Sequence, residues 1–217
     1  MAFGRPCATE MATPTRPTVP GGVDAPPAAT SSRHHVGVDT PLDIRPLTRA
    51  DAHWHLDGLA ALLLDGVHAG ASLGHLLPLS RDDAERDWSA LQVQLSDDEL
   101  LWIARRGEEL VGCVRLRLAG AAGDRHRAAV ERLVVASAHR RQGTATALLA
   151  AVEHEALERG LRLLVADVEA GAEAGRRFAH LGWETAGTIP GYLSAPDGTP
   201  RDATRLFRRL DRPAFTF

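Results

Sequence analysis

The 217-residue chain contains no lysine and only two cysteines. Its formal positive charge is therefore carried by arginine, which stays charged at any working pH and grips phosphate through a planar fork. Cys7 and Cys113 are too few for a disulfide framework, and this usage is typical of a reducing compartment. We expect a cytoplasmic protein.

Long apolar runs and a strong charge imbalance are also missing. No stretch approaches the roughly 18 apolar residues of a membrane span, and the N-terminus lacks the apolar run of a secretory signal. The formal net charge of −3 argues against a polyanionic partner. We therefore expect no membrane and no nucleic-acid partner. At 44% hydrophobic residues, the chain is long enough for one domain with a real core.

Residues 1–41 differ in composition from the rest, because they hold seven of the thirteen prolines and show no apolar periodicity. Such a segment cannot bury enough surface to offset its ordering entropy. We expect a disordered tail at residues 1–41, one domain at residues 42–213 and a short C-terminal tail at residues 214–217. Whether the first segment is a genuine tail or reflects an upstream start codon stays open.

From residue 42 onward, hydrophobic periodicity predicts alternating strands and helices. Thr48 with Asp51, and Ser80 with the acidic residues that follow it, are typical helix starts. The predicted segments are 42–45, 48–68, 80–95, 100–105, 110–118, 130–135, 144–159, 161–168 and 172–181, followed by a hairpin that turns at 196–198. Their order indicates an α/β (α+β) fold, a mixed sheet with helices on its faces.

Residues 135–145 join a strand to a helix and offer the most specific chemistry. Gly143 can adopt a positive φ and lets a ligand approach the backbone closely. The amides of residues 142–145 lie at a helix N-terminus, where a diphosphate is favoured. Arg140 and Arg141 add positive charge beside them. From these residues alone, a phosphate site and an ordinary tight turn are about equally good interpretations.

The pattern Arg-x-x-Gly-x-Ala beginning at Arg140 follows a strand that ends Leu-x-Val and precedes a Leu-Leu pair. This arrangement resembles the acetyl-CoA motif of the GNAT N-acetyltransferase superfamily. The segment Ile44-Arg45-Pro46 is similar to the superfamily's first strand, and Leu181-Gly182-Trp183 is similar to the segment after its last helix. The resemblance covers roughly residues 42–210.

Three segments look closer still to the tabtoxin-resistance acetyltransferase group. They are Gly70-Ala71-Ser72-Leu73-Gly74, His126-Arg127-Ala128 and Ile189-Pro190-Gly191-Tyr192.

The resemblance implies the GNAT fold, a mostly antiparallel twisted sheet with helices on both faces and a V-shaped splay. The splay would open between the strand ending at Val135 and the strand ending near Val168, and acetyl-CoA would lie in it as co-substrate. The Leu133 amide would hold the thioester carbonyl as it becomes an oxyanion. The expected cofactor-binding residues are Leu133, Val134, Val135, Arg140, Arg141, Gln142, Gly143, Thr144, Ala145 and Phe178.

A base is needed because an amine attacks only when it is unprotonated. Many GNAT proteins carry a glutamate at the position of Ala129, which cannot serve. In the tabtoxin-resistance group an aspartate at the end of the next strand is the proposed base, and Asp167, which matches it, is our first choice. Glu131 lies on the same strand face as Ala129 and could substitute. It is about as well explained as a surface residue paired with Arg132 or Arg115.

The usual general acid of the superfamily is a tyrosine, and the matching position here is Phe178, which has no proton to give. Either the thiolate leaves unassisted or Tyr192, the only tyrosine in the chain, supplies the proton. Phe178 could still pack against the pantetheine arm of the cofactor.

Two further features have simpler interpretations. His53 and His55 lie two apart on a predicted helix and face different directions, so we expect no metal site. Trp54 and Trp88 are more often core residues than substrate contacts, although the helices that carry them usually roof the acceptor site in this superfamily.

Taken together, the residues and the resemblance predict an acetyl-CoA-dependent N-acetyltransferase. Its acceptor would be a small primary amine, such as an amino-acid-like metabolite or an antibiotic, and the protein would be a monomer or a homodimer. Two alternatives stay open: an acetyltransferase for proteins or peptides, and a non-catalytic acyl-CoA-binding module. Ala129 and Phe178 together suggest the second alternative.

Overall fold

The computed structural model describes residues 40–210. The expected C-terminal tail and nearly all of the expected N-terminal tail, with Cys7, lie outside the described residues. Within these residues seven strands form one sheet: β1 Leu42–Leu47, β2 Glu99–Arg106, β3 Glu109–Leu118, β4 Arg127–Val135, β5 Leu163–Glu169, β6 Glu184–Ser194 and β7 Pro200–Arg209. The α-helices are α1 Arg49–Ala52, α2 Leu56–His68, α3 Arg81–Gln94, α4 Thr144–Glu158 and α5 Glu173–His180. Short 3-10 turns occupy His53–His55, Ala122–Asp124 and Ser137–His139.

The strands lie in the order β1-β2-β3-β4-β5-β7-β6, and only β4 and β5 are parallel neighbours. Their pairing is restricted to Arg127–Ala129 against Leu163–Val165. Beyond these residues β4 stays with β3 and β5 stays with β7, so the sheet opens between them. The expected mixed, mostly antiparallel sheet with a V-shaped splay is confirmed.

Alternating side chains of the central strands bury themselves on opposite faces, as the pleat of a strand requires. On one face, Trp102 and Ala104 join the core formed with α4 and α5. On the other, Leu101 and Ile103 join the core formed with α2 and α3. Helices therefore cover both faces of the sheet, as expected. None of the described helices is long and apolar enough to cross a bilayer.

Local sequence signals explain where the first helices begin. The Thr48 side chain caps α1 by accepting the Asp51 amide, and Ser80 with Asp83 forms a reciprocal capping box at α3. The helix expected over residues 48–68 is interrupted, because a 3-10 turn at His53–His55 separates α1 from α2.

Trp54, in the 3-10 turn, and Trp88, in α3, have different environments. Trp88 is buried as expected, at 1% exposure, whereas Trp54 is 80% exposed and the expectation that it belongs to the core is wrong.

The thiol of Cys113 is fully buried in β3, and burial raises its pKa to about 12.

Candidate active site

Two adjacent cavities lie where the sheet splays open. The loop cavity, of about 320 Å³, is bounded by the β4–α4 loop, the first turn of α4 and α5. The cleft cavity, of about 790 Å³, lies between the diverging ends of β4 and β5 and reaches β6 and β7. Six residues line both cavities, so the two spaces adjoin: Ala71, Leu73, Leu133, Ala172, Ala174 and Phe178.

The loop cavity contains an uncapped helix N-terminus. Gly143 is the N-cap residue of α4 with φ 82°, and no side chain in the described part of the chain caps the helix there. Arg141 also has a positive φ, of 61°. Alternation of such residues with right-handed ones turns successive amides toward one point and forms an anion-binding concavity. A Cβ built on Gly143 meets nothing within 4 Å, so the space beside the helix end is open.

Arginine side chains surround this helix end. Arg140 donates from Nε to the carbonyl of Val135 at 3.2 Å, which folds the loop back on the end of β4. Arg177 donates to Glu173 at 2.8 Å and lowers the pKa of that carboxyl, with smaller contributions from Arg141 and Arg176. One glutamate therefore lies among three arginines, and the local charge is positive.

Thr144 adds a polar atom that the protein leaves unsatisfied. Its side chain is 1% exposed, and its hydroxyl has no hydrogen-bond partner among the described residues. An orphaned buried hydroxyl that lines a cavity is a natural contact for a polar ligand. The uncapped amides, the open space, the arginines and this hydroxyl fit a diphosphate.

Nine of the ten residues expected to bind the cofactor line the loop cavity. The exception is Gln142, which is exposed and donates from Nε2 to the carbonyl of Ala138 at 3.2 Å. Phe178 is 4% exposed and meets Trp183 edge to face at 4.8 Å between ring centroids. Because Phe178 lines both cavities, it forms part of the wall where they meet.

The strand β4 contains a bulge at the mouth of the cleft. Its register with β3 pairs Glu131 with Arg115 and Val134 with Cys113, so Arg132 and Leu133 together face one residue of β3. Leu133 also lies beyond the three residues of β4 that pair with β5. Its backbone is thus outside the regular ladder on both sides, in the wall shared by the two cavities.

Asp167, the first choice for the base, lines the cleft cavity and is held by Arg205 of β7. The guanidinium donates from Nε to Oδ1 at 2.9 Å and from its terminal nitrogen to Oδ2 at 2.8 Å. This hydrogen bonding, with a smaller contribution from Tyr192, raises the pKa of Arg205. The Asp167 side chain is 26% exposed, so it is a paired carboxylate at the cleft surface rather than a bare buried acid.

Glu131, the second candidate, also lines the cleft cavity. Its Oε2 accepts from Arg115 at 3.3 Å, and its Oε1 accepts from the Nε of Arg117 at 3.1 Å. The pairing considered with Arg132 is wrong, because Arg132 is bound to Asp87 of α3 instead. The pairing with Arg115 is present.

The cleft contains a third carboxylate, that of Glu169, which was not predicted from the sequence. Glu169 lies two residues after Asp167 on β5, and its Oε2 accepts from the hydroxyl of Ser72 at 3.0 Å. Strand alternation from Asp167 could have indicated Glu169. No pattern among neighbouring residues could have indicated Ser72, because it lies 97 residues from Glu169 along the chain.

Tyr192 lies on β6 and is 54% exposed, with its side chain in the lining of the cleft cavity. The structure therefore brings Glu131, Asp167 and Tyr192 to one cavity and nine of the cofactor candidates to the adjoining one.

Residues 70–183, more than half of the chain, match the acetyltransferase (GNAT) family model. The chain belongs to the GNAT acetyltransferase family. It is therefore an acyltransferase, and its splayed sheet is the fold of that family.

Solved structures share this fold. The ribosomal-protein-alanine N-acetyltransferase of Brucella melitensis is 25% identical, with a TM-score of 0.63 over 77% of this chain and 99% of that one. An N-acetyltransferase of Staphylococcus aureus Mu50 is 18% identical, with a TM-score of 0.64 over 79% and 99%. The yncA protein of Salmonella typhimurium, solved with its cofactor acetyl-CoA, is 19% identical, with a TM-score of 0.62 over 80% and 96%.

Proposed function

We propose that this GNAT protein transfers the acetyl group of acetyl-CoA to the primary amine of a small molecule. The observation that carries the proposal is the junction of the two cavities at Leu133 and Phe178. On one side lie helix amides and arginines that suit a diphosphate. On the other lie carboxylates that suit an amine. A thioester spanning the junction would meet its acceptor there.

In this proposal the loop cavity holds the nucleotide end of acetyl-CoA. The amides at the start of α4 receive the diphosphate, Arg140 and Arg141 neutralise its charge, and Thr144 offers its free hydroxyl. The thioester supplies the acetyl group and a thiol leaving group. The Leu133 amide donates a hydrogen bond to the thioester oxygen as negative charge develops on it, an effect worth on the order of 10²–10³ in rate.

Proton transfer belongs to the cleft cavity. The acceptor amine gives up a proton as it attacks, and Asp167 receives it, directly or through a water. Arg205 orients both carboxylate oxygens of Asp167. Glu131 is the alternative base. The departing sulfur leaves as a thiolate or takes a proton from Tyr192, since Phe178 has none to give.

A small acceptor is favoured because the cleft is bridged across its rim. Ser72, in the α2–α3 connection, reaches Glu169 on β5. Farther along the same connection, the Leu77 amide donates to the carbonyl of Pro196 in the β6–β7 turn at 2.8 Å. We infer that these contacts restrict the access of a protein chain to the cleft. The paired charges around the cleft suit an acceptor with charges of its own, such as an amino acid or an amino-acid-like antibiotic.

The three segments that resemble the tabtoxin-resistance group all contribute to the cleft. The first supplies Ser72, the second Arg127 and the third Tyr192. Their convergence on one cavity supports a relationship with that group. A cytoplasmic location and a monomeric or homodimeric state complete the proposal.

The test is release of thiol from acetyl-CoA by the full chain across a panel of amines. The panel contains amino acids, amino-acid-like antibiotics, simple alkylamines and short peptides with free N-termini. We expect at least one small amine to exceed every peptide by about tenfold or more in kcat/KM, a difference of about 1.4 kcal/mol. Turnover with peptides alone, or saturable cofactor binding without turnover, would contradict the proposal.

A further inference from the structure

The bulge of β4 contains a strained residue. Arg132 has φ 50°, in the left-handed region that a bulky side chain rarely adopts. Such strain persists only where surrounding contacts determine the conformation, and it clusters at functional sites. The next residue is Leu133, whose amide is the proposed oxyanion donor. The direction of that amide therefore depends on the conformation of Arg132.

The side chain of Arg132 is fixed from outside the sheet by α3. Its guanidinium binds both carboxylate oxygens of Asp87, one of them at 3.1 Å, and lies 5.1 Å from the centroid of the Trp88 ring. The Arg132 and Asp87 side chains are only 22% and 24% exposed. A partly buried, bidentate pair with a stacked ring is more rigid than an exposed surface ion pair.

Two more contacts restrain the same unit. The thiol of Cys113 donates to the carbonyl of Arg132 at 3.6 Å, so the backbone of the bulge is held from the neighbouring strand. His75 Nε2 lies 3.6 Å from Asp87 Oδ1. Arg132 is thus held through its carbonyl by β3 and through its guanidinium by α3.

We propose that Asp87, Trp88 and Arg132 form a positioning clamp that aims the Leu133 amide at the reacting carbonyl. Asp87 and Trp88 act through Arg132 and the bulge, so they are positioning residues. The clamp also links α3 to the oxyanion donor. This inference rests on the proposed function, because an oxyanion donor is needed only if the acyl group is transferred.

Two variants separate the effect of losing the clamp from the effect of backbone strain at Arg132. Asp87→Asn removes the charge that holds the guanidinium. Arg132→Gly removes the guanidinium, but glycine adopts a positive φ without steric strain. The bulge can therefore still form in this variant, although it is no longer held by α3. Each variant should lower kcat by about 10- to 100-fold, because a donor displaced by about 1 Å costs that much. Affinity for coenzyme A should stay within about threefold, less than 1 kcal/mol.

A double variant tests whether the two residues act as one unit. Asp87→Asn combined with Arg132→Gly should lose no more than Arg132→Gly alone, within about twofold. Glu155→Gln is the control, because Glu155 pairs with Arg159 at the C-terminal end of α4, is 34% exposed and lines neither cavity. It should leave kcat unchanged.

Hydrogen exchange at the Leu133 amide provides a readout that needs no turnover. With acetyl-CoA bound and no amine present, the thioester oxygen accepts from the Leu133 amide, so exchange at Leu133 should be about tenfold faster in Asp87→Asn than in wild type, while amides within α4 keep their rates. Unchanged exchange at Leu133, or wild-type kcat in Arg132→Gly, overturns the clamp. A loss of melting temperature without a change in either quantity also overturns it. Absence of turnover in the wild-type chain counts against the proposed function, whereas the exchange result tests the clamp by itself.

Discussion

The two cavities are built in different ways. Most of the loop cavity comes from one continuous stretch, residues 133–149, and its binding groups are mainly backbone amides at the start of α4. The cleft cavity is assembled from β3, β4, β5, β6, β7 and the α2–α3 connection, and its polar groups are side chains in ion pairs. Backbone groups can hold a ligand shared by a whole family, whereas side chains can differ from one acceptor to another. The loop cavity is therefore suited to a ligand that the whole family shares, and the cleft cavity is suited to an acceptor particular to this protein.

The largest effect should come from a charge placed in the loop cavity. Gly143→Glu sets a carboxylate beside the proposed diphosphate, and repulsion of several kcal/mol should weaken coenzyme A binding by at least about 1,000-fold, as measured by calorimetry.

Gly198→Glu is a matched control. Gly198 has φ 84°, and an added Cβ there also meets nothing within 4 Å, but it lies in the β6–β7 turn. Both variants should lose about 1–2 kcal/mol of stability from the left-handed backbone. Equal loss of affinity in both, or in neither, would remove the distinction between the cavities.

The next largest effect concerns the base in the cleft cavity. Asp167→Asn should lower kcat by about 100-fold while coenzyme A binding stays within about threefold, because proton transfer is lost and the loop cavity is untouched. Glu131→Gln is the competing variant in the same assay. A larger loss of kcat in Glu131→Gln than in Asp167→Asn would transfer the role of base to Glu131.

A smaller effect is expected for the general acid. Tyr192→Phe should lower kcat by only about tenfold, because a thiol with a reference pKa near 8.5 leaves with little help. Adding Phe178→Tyr to that variant places a hydroxyl on the wall between the cavities and should restore part of the rate. If Tyr192→Phe has wild-type kcat, then the thiolate leaves unassisted.

The smallest effect is on stability in acid. Burial alone would raise the pKa of Asp87, but its hydrogen bond and charge interaction with Arg132, with help from His75, lower it overall. The ion pair of Asp87 with Arg132 therefore stabilises the fold fully above the unfolded carboxyl pKa of about 3.9. This stabilisation is lost as the pH falls through the lower pKa that Asp87 has in the folded state.

Asp87→Asn should accordingly lose about 1 kcal/mol of unfolding free energy at neutral pH, and this difference should disappear toward about pH 2. Denaturant unfolding measured across that range checks it. Asp97→Asn, in an exposed turn, controls for the loss of one acidic charge. A difference that grows as the pH falls would show that the sign is wrong.

The same contrast explains what could be predicted from sequence. The mixed sheet with helices on its faces and the cap residues Thr48 and Ser80 are confirmed, because periodicity and capping act over a few neighbouring residues. The V-shaped splay was expected only from the resemblance to the GNAT superfamily. Positive φ at Gly143 was indicated by residue type alone. The partners of the cleft residues were not predictable in this way, since Arg205 is 38 residues from Asp167 and Asp87 is 45 residues from Arg132. The prediction that Trp54 is a core residue was wrong for a related reason, because helical spacing does not show which face of a helix will pack against the sheet.

The central claim is that the start of α4 binds the diphosphate of coenzyme A. Calorimetry of the full wild-type chain with coenzyme A and with pantetheine, which has the thiol arm but no diphosphate, tests it most directly. Saturable binding of coenzyme A is predicted, with pantetheine bound at least about 100-fold more weakly, a difference of about 2.7 kcal/mol. Absence of heat with coenzyme A, or equal affinity for the two compounds, would contradict the claim.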